Sequence, residues 1–175
     1  QAKIHFKGLN PDNEYLTIKG EGATPDDTVL DASSLSFATH NGAIIHIKSD
    51  YVKVSNLSIT NSDGYGIMVE GRDDKKINHI EVDNVHTRLT EKSGIYFNRT
   101  RNVKVTNNKV MSACGYSEDN SNFPQECITL SDTANFEVSN NKVSEGVDGT
   151  NGGEGITVKG NSYNGNVFNN EVYDL

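Results

Sequence analysis

The chain has 175 residues, with 16 Lys and Arg against 24 Asp and Glu and a formal net charge of −8. With 34% hydrophobic residues, 16 glycines and no tryptophan, it can build one domain, and it lacks the like-charge runs and low-complexity tracts of a disordered chain. The acidic balance excludes a broad basic footprint for nucleic acid or membrane surface, and no apolar run approaches the roughly 20 residues that span a bilayer.

The opening QAKIHFKGLN has no signal-peptide layout, so the chain reads as a mature protein or a piece of a longer one. From residue 43 onward two short motifs alternate. AIIHIKS (43–49) is followed by YVKVSNLSI (51–59), and YGIMVEG (65–71) by INHIEVDNVHT (77–87). SGIYFNR (93–99) precedes NVKVTNNKV (102–110), and ECITLSD (126–132) precedes NFEVSNNKV (135–143). EGITVKG (154–160) and NGNVFNNEV (164–172) close the series. Both motifs alternate apolar and polar residues with period 2, which predicts strands and no helix. In the first motif the inward pairs are Ile45/Ile47, Ile67/Val69, Ile95/Phe97, Ile128/Leu130 and Ile156/Val158.

The second motif carries Asn at one column, Asn56, Asn84, Asn107, Asn140 and Asn169. A coil that climbs one strand spacing per turn, about 4.8 Å, places like residues over like and explains such a column. The expectation is an inward Asn ladder that satisfies buried backbone groups of the turn. This pattern resembles the right-handed parallel β-helix of pectate lyases and their relatives, over Tyr15 to Leu175; the handedness is implied by the resemblance alone. The expected fold is all-β, a single solenoid of about six coils forming one domain over 1–175, with its C-terminal end open or truncated.

With Ile and Val inward, the outward columns of the first motif read His46, Met68, Tyr96, Thr129, Thr157 and Lys48, Glu70, Asn98, Ser131, Lys159. They form a shallow polar surface on which an extended glycan could lie, with Tyr96, His46 and Asn98 as substrate contacts. The corner column before the inward Ile reads Ala43, Tyr65, Ser93, Glu126, Glu154. Glu126 and Glu154 are expected to stack about 5 Å apart, where two full charges repel by about 3 kcal/mol at an effective dielectric near 20. A cation, a shared proton or divergent rotamers must relieve this. With Asp148 in the loop between them, the set could hold Ca²⁺.

Lys159 follows Glu154 by five residues, and the stretch 152–170 resembles the part of β-helix lyases where an acidic calcium ligand precedes a Lys. The resemblance implies a secreted, Ca²⁺-assisted lyase that cleaves an acidic polysaccharide by β-elimination. Lys159 would be the base, and Arg99 or Arg101 would clamp a uronate carboxylate. Five extended residues span about 16 Å, so Lys159 needs either a bend at Gly153–Gly155 or a partner from the neighbouring coil. A glycoside hydrolase using Glu126 and Glu154, and a non-catalytic glycan-binding or adhesin module, are the alternatives. The five histidines show no metal-binding spacing. Cys114 and Cys127 could be a disulfide or two buried thiols.

Overall fold

The computed structural model describes residues 4–7, 13–37, 42–115, 125–146 and 152–175; of Ile4–Lys7 only the backbone is considered. The strands in chain order are β1 (Ile4–Lys7), β2 (Leu16–Lys19), β3 (Val29–Asp31), β4 (Ala43–Lys48), β5 (Val52–Ser62), β6 (Tyr65–Glu70), β7 (Ile77–Thr90) and β8 (Ile95–Asn98). They continue as β9 (Thr100–Thr106), β10 (Lys109–Ala113), β11 (Gln125–Ser131), β12 (Ala134–Ser139), β13 (Lys142–Ser144), β14 (Gly152–Lys159), β15 (Tyr163–Phe168) and β16 (Glu171–Tyr173). One 3-10 turn, Pro25–Asp27, lies between β2 and β3.

A six-stranded sheet runs β1-β4-β6-β8-β11-β14, and every pairing in it is parallel. A second, ten-stranded parallel sheet forms the other walls, with the long strands β5 and β7 pairing on both flanks of a corner. The register is the one read from the sequence. Ile45, Ile67, Ile95, Ile128 and Ile156 lie side by side, as do Ile47, Val69, Phe97, Leu130 and Val158. Their inward faces meet Val54, Val82, Val105 and Val138 from the second sheet in one continuous core. The last strands are different: Val158, Val167, Phe168 and Val172 are exposed.

The Asn columns explain how the chain turns its corners. Asn56, Asn84, Asn107, Asn140 and Asn169 all have φ between 51° and 57°, the left-handed region that Asn tolerates better than other side chains. Asn84 donates to Asn56, which donates to the carbonyls of Gly20 and Gly22, as the expected ladder would; Asn107, Asn140 and Asn169 are exposed, so over the later coils this column is a corner device and not an inward ladder. The buried ladder is one residue further on. Asn108 and Asn141 are almost fully buried, and each donates its amide to the next Asn, Asn108 Nδ2 to Asn141 Oδ1 and Asn141 Nδ2 to Asn170 Oδ1, both at 2.9 Å. Each oxygen also accepts the backbone N–H of the coil before, Asn108 from Val85, Asn141 from Asn108 and Asn170 from Asn141. The amides donate in turn to the carbonyls of Val82, Val105 and Val138. The correction follows from parity: the second Asn of each TNN or SNN points inward because the left-handed residue before it reverses the chain.

Three further corners repeat the device, one of them built by Arg99, Asp132 and Gly160. Tyr51, His79, Asn102, Asn135 and Asn164 form one left-handed column, and Asn61, Leu89, Ser112, Glu145 and Asp174 another. Within the Tyr51 column, Asn164 donates to Asn135 and Asn135 to Asn102, and Asn102 donates to Asn78, the residue before His79.

Asn141→Leu should cost on the order of 3–5 kcal/mol, because buried donors of Asn108 and the carbonyl of Val105 lose their partners. Asn140→Gly should stay within about 1 kcal/mol, since glycine accepts a left-handed φ freely. Urea denaturation of both variants measures the difference. Equal losses would mean that the buried ladder is not the stabilising one.

Candidate functional site

The outward face of the six-stranded sheet gathers most of the residues singled out in the sequence. His46, Met68, Tyr96, Thr129 and Thr157 are neighbours across five strands, and Glu70, Asn98, Ser131 and Lys159 across four. The face is less open than expected. Thr129 and Ser93 are almost fully buried and Met68 is buried, because the corner residues fold back over the sheet. Tyr65 lies against Tyr96 with ring centroids 4.9 Å apart. Ser93 Oγ lies 3.2 Å from Thr129 Oγ1.

Glu126 is the centre of this arrangement. It pairs in register with Glu154, and the ladder is irregular between Gln125 and Glu126, which turns the strand as it enters the sheet. The side chain of Glu126 then runs over Thr129, whose hydroxyl donates to Oε2 at 2.8 Å. Its other oxygen, Oε1, accepts from Lys159 Nζ at 2.6 Å. Glu126 is 2% exposed, and a buried carboxylate requires such partners. The repulsion between the stacked glutamates is therefore relieved by a cation of the protein itself, and the neighbouring coil supplies the partner of Lys159. Glu154 stays exposed, with Thr157 Oγ1 at 3.3 Å.

Both oxygens of Glu126 are thus engaged by donors, and one faces an ammonium, so the carboxylate offers no open edge to a divalent cation. Among the described residues no three His, Cys, Asp or Glu side chains are grouped to hold a metal. Asp148, the third expected ligand, lies outside the described residues. The described residues alone do not fit a calcium site.

Arg99 and Arg101 part company. Arg99 occupies a left-handed corner with φ 54°, and its Nε donates to Asp73. Its charge acts on Tyr96. Arg101 is exposed on β9 of the second sheet, paired with Asn78 and Ala134. His46 Nε2 lies 3.5 Å from Glu70, which also meets Lys48 at 3.3 Å. Asn98 stands half-buried between Glu70 and Ser131. Cys114 and Cys127 are free and buried. A hydrogen bond from the Cys114 thiol holds the Cys127 thiol below its usual range.

A family model described as the right handed beta helix region matches residues 18–174. The chain belongs to that family. No curated protein and no solved structure matches it. The match makes the coil of the β-helix right-handed.

Tyr65 is the residue that sequence reading passed over, although it shares the corner column of Glu126. Burial, and then the nearby Tyr96, Glu126 and Glu70, push its phenol well above the usual value of 10.0. Tyr96 is raised as well, by burial first and then by Glu70 and Glu126. Both phenols therefore remain protonated donors at neutral pH on this β-helix face.

For a phenol raised on folding, the native state holds its proton longer than the unfolded chain does. Stability from Tyr65 is complete below the unfolded pKa of about 10 and is lost as pH climbs from there toward the folded value. Tyr65→Phe should flatten the fall in melting temperature above pH 10. A fall of unchanged steepness would show that Tyr65 titrates normally.

Proposed function

We propose that this β-helix cleaves an acidic, uronate-containing polysaccharide by β-elimination on the outward face of its six-stranded sheet. The observation that carries the reading is the 2.6 Å pair between Lys159 and the buried Glu126, set beside the Tyr65–Tyr96 ring pair. Elimination needs a cation at the uronate carboxylate, a base for the proton on the carbon next to it, and a donor for the leaving oxygen.

The residues supply each part. Arg99 gives Nε to Asp73, and its terminal nitrogens remain as a fork for a carboxylate. Lys159 can pass a proton along its short bond to Glu126, and the neutral amine then takes the C5 proton. The C5–H electrons form the C4–C5 double bond, and the C4–O4 bond breaks. Tyr96, kept protonated by its surroundings, donates to the departing oxygen. The reading places the enzyme outside the cell, where such polymers occur. It rests on protein cations, so it requires no metal for charge neutralisation.

The test is the ultraviolet absorbance of the unsaturated product with pectate, alginate and glycosaminoglycans, with and without Ca²⁺. Lys159→Ala and Arg99→Ala should each lower the rate by at least about 100-fold, and Tyr96→Phe by about 10–100-fold. EDTA should leave the rate unchanged. Silence on every polymer would end the lyase reading, and a rate abolished by EDTA would replace Arg99 with a metal as the charge-neutralising group.

A further inference from the structure

Cys114 and Cys127 are buried reactive groups that the elimination chemistry does not use. Cys114 directly follows β10 and is 6% exposed; Cys127 lies within β11 and is 0% exposed. Both belong to the same apolar core, and β10 and β11 touch. The Cys114 thiol donates a hydrogen bond to Cys127, so the two sulfurs face each other.

The backbone fixes this meeting from both sides. Cys114 N–H donates to the Lys92 carbonyl and Gly115 N–H to the Thr90 carbonyl, both at 3.2 Å. Cys114 has φ 68°; a left-handed position taken by neither Gly nor Asn is uncommon, and these two bonds hold it. Cys127 precedes Ile128, which pairs with Ile95, so Cys127 stands beside Gly94. Both cysteines are therefore set against the segment Lys92–Gly94. Gly66, Gly94 and Gly155 occupy the same column as Cys127 in neighbouring coils. A Cβ at Gly94 would collide with Thr87 and Val110, and one at Gly155 with Val172. The column thus points into the core, where those coils have no room for a side chain. Cys127 carries one there, and its sulfur ends on Cys114.

We infer that Cys114 and Cys127 are a disulfide site, whose bridge anchors β11 at the point where Glu126 leaves it. Glu126 is the residue before Cys127, and the strand ladder is irregular between Gln125 and Glu126, so a covalent tie supplements the ladder where it is weakest. Thiols already in hydrogen-bond contact need little backbone movement to bond. The exchange takes place during folding, while both sulfurs are open to a small oxidised disulfide such as glutathione disulfide. One cysteine thiolate attacks a sulfur of that reagent and releases one thiolate. The other cysteine loses its proton, attacks the resulting mixed disulfide at the protein sulfur and releases the second. Two cysteine thiols are oxidised to one bridge, and the reagent is reduced to two thiols. No substrate enters this step, so it stands or falls independently of the elimination reading.

Refolding from urea in mixed reduced and oxidised glutathione tests it, against refolding in dithiothreitol. The glutathione-refolded chain should be lighter by two hydrogen atoms in its intact mass. It should melt about 5–10 °C above the reduced chain, because closing the segment between the cysteines restricts the unfolded state. Amide hydrogen exchange at Glu126, Cys127 and Ile128 should slow at least about tenfold in the bridged form. Cys114→Ala and Cys127→Ala should each abolish all three differences. Each variant is compared with itself in the two buffers, so any stability lost to the substitution drops out. An unchanged mass, or a glutathione adduct left on either cysteine, would overturn the site. A bridge that leaves the melting temperature or the exchange at Glu126 unchanged would overturn the anchoring.

Discussion

Everything in this molecule depends on stacking parallel strands in register, one coil upon the next. Stacking repeats every residue at the same place, so a corner solved once must be solved in each coil. The solution is a left-handed residue, most often Asn, at φ near 50–60°. A left-handed position turns the chain within one residue while the strands on either side keep their hydrogen bonds. Asn holds that conformation at little steric cost and can bond to the Asn above it. The second Asn of each pair then faces inward and satisfies backbone groups that the corner leaves without partners. Apolar columns alone would pack against one another, but they would not prevent one coil from sliding past its neighbour. The amide ladder, with its directional bonds from Asn108 through Asn141 to Asn170, resists that slide.

The same stacking makes a chemical surface. Side chains far apart in sequence are brought within reach because their strands are adjacent. Glu126 would be an expensive buried charge by itself. Thr129 comes from its own strand, and Lys159 reaches it from the next coil. The result is a buried carboxylate held by a part-exposed ammonium, beside two phenols that stay protonated. Perturbed and partnered titratable groups at one place are a common mark of function, though ion-pair networks of structure alone share it. The substrate experiments decide between them.

Much of this was legible beforehand. Period-2 alternation located the strands, and the inward Ile and Val columns predicted the register. Glu126 opposite Glu154 was readable because both stand two places before an inward Ile. The buried ladder was misplaced by one residue, because alternation does not report a left-handed φ. The same blindness hid the role of Tyr65: its ring crosses from the corner to the outward face, and no linear pattern says so. Arg101 and Arg99 are two residues apart, yet Arg99 occupies the corner itself and Arg101 lies on the second sheet beyond it.

The sequence by itself determined the architecture, since a repeated column of like residues has one economical solution, a coil of stacked strands. It also determined which faces are apolar, because strand parity is a property of the chain. Only the tertiary structure decided who meets whom. Lys159 found Glu126 across 33 residues, and Asp26 closed over Ser58 and His86 from a turn outside the repeat. Those contacts depend on the directions in which side chains and loops leave the coil. Directions are set by corners and packing, which no spacing of letters encodes.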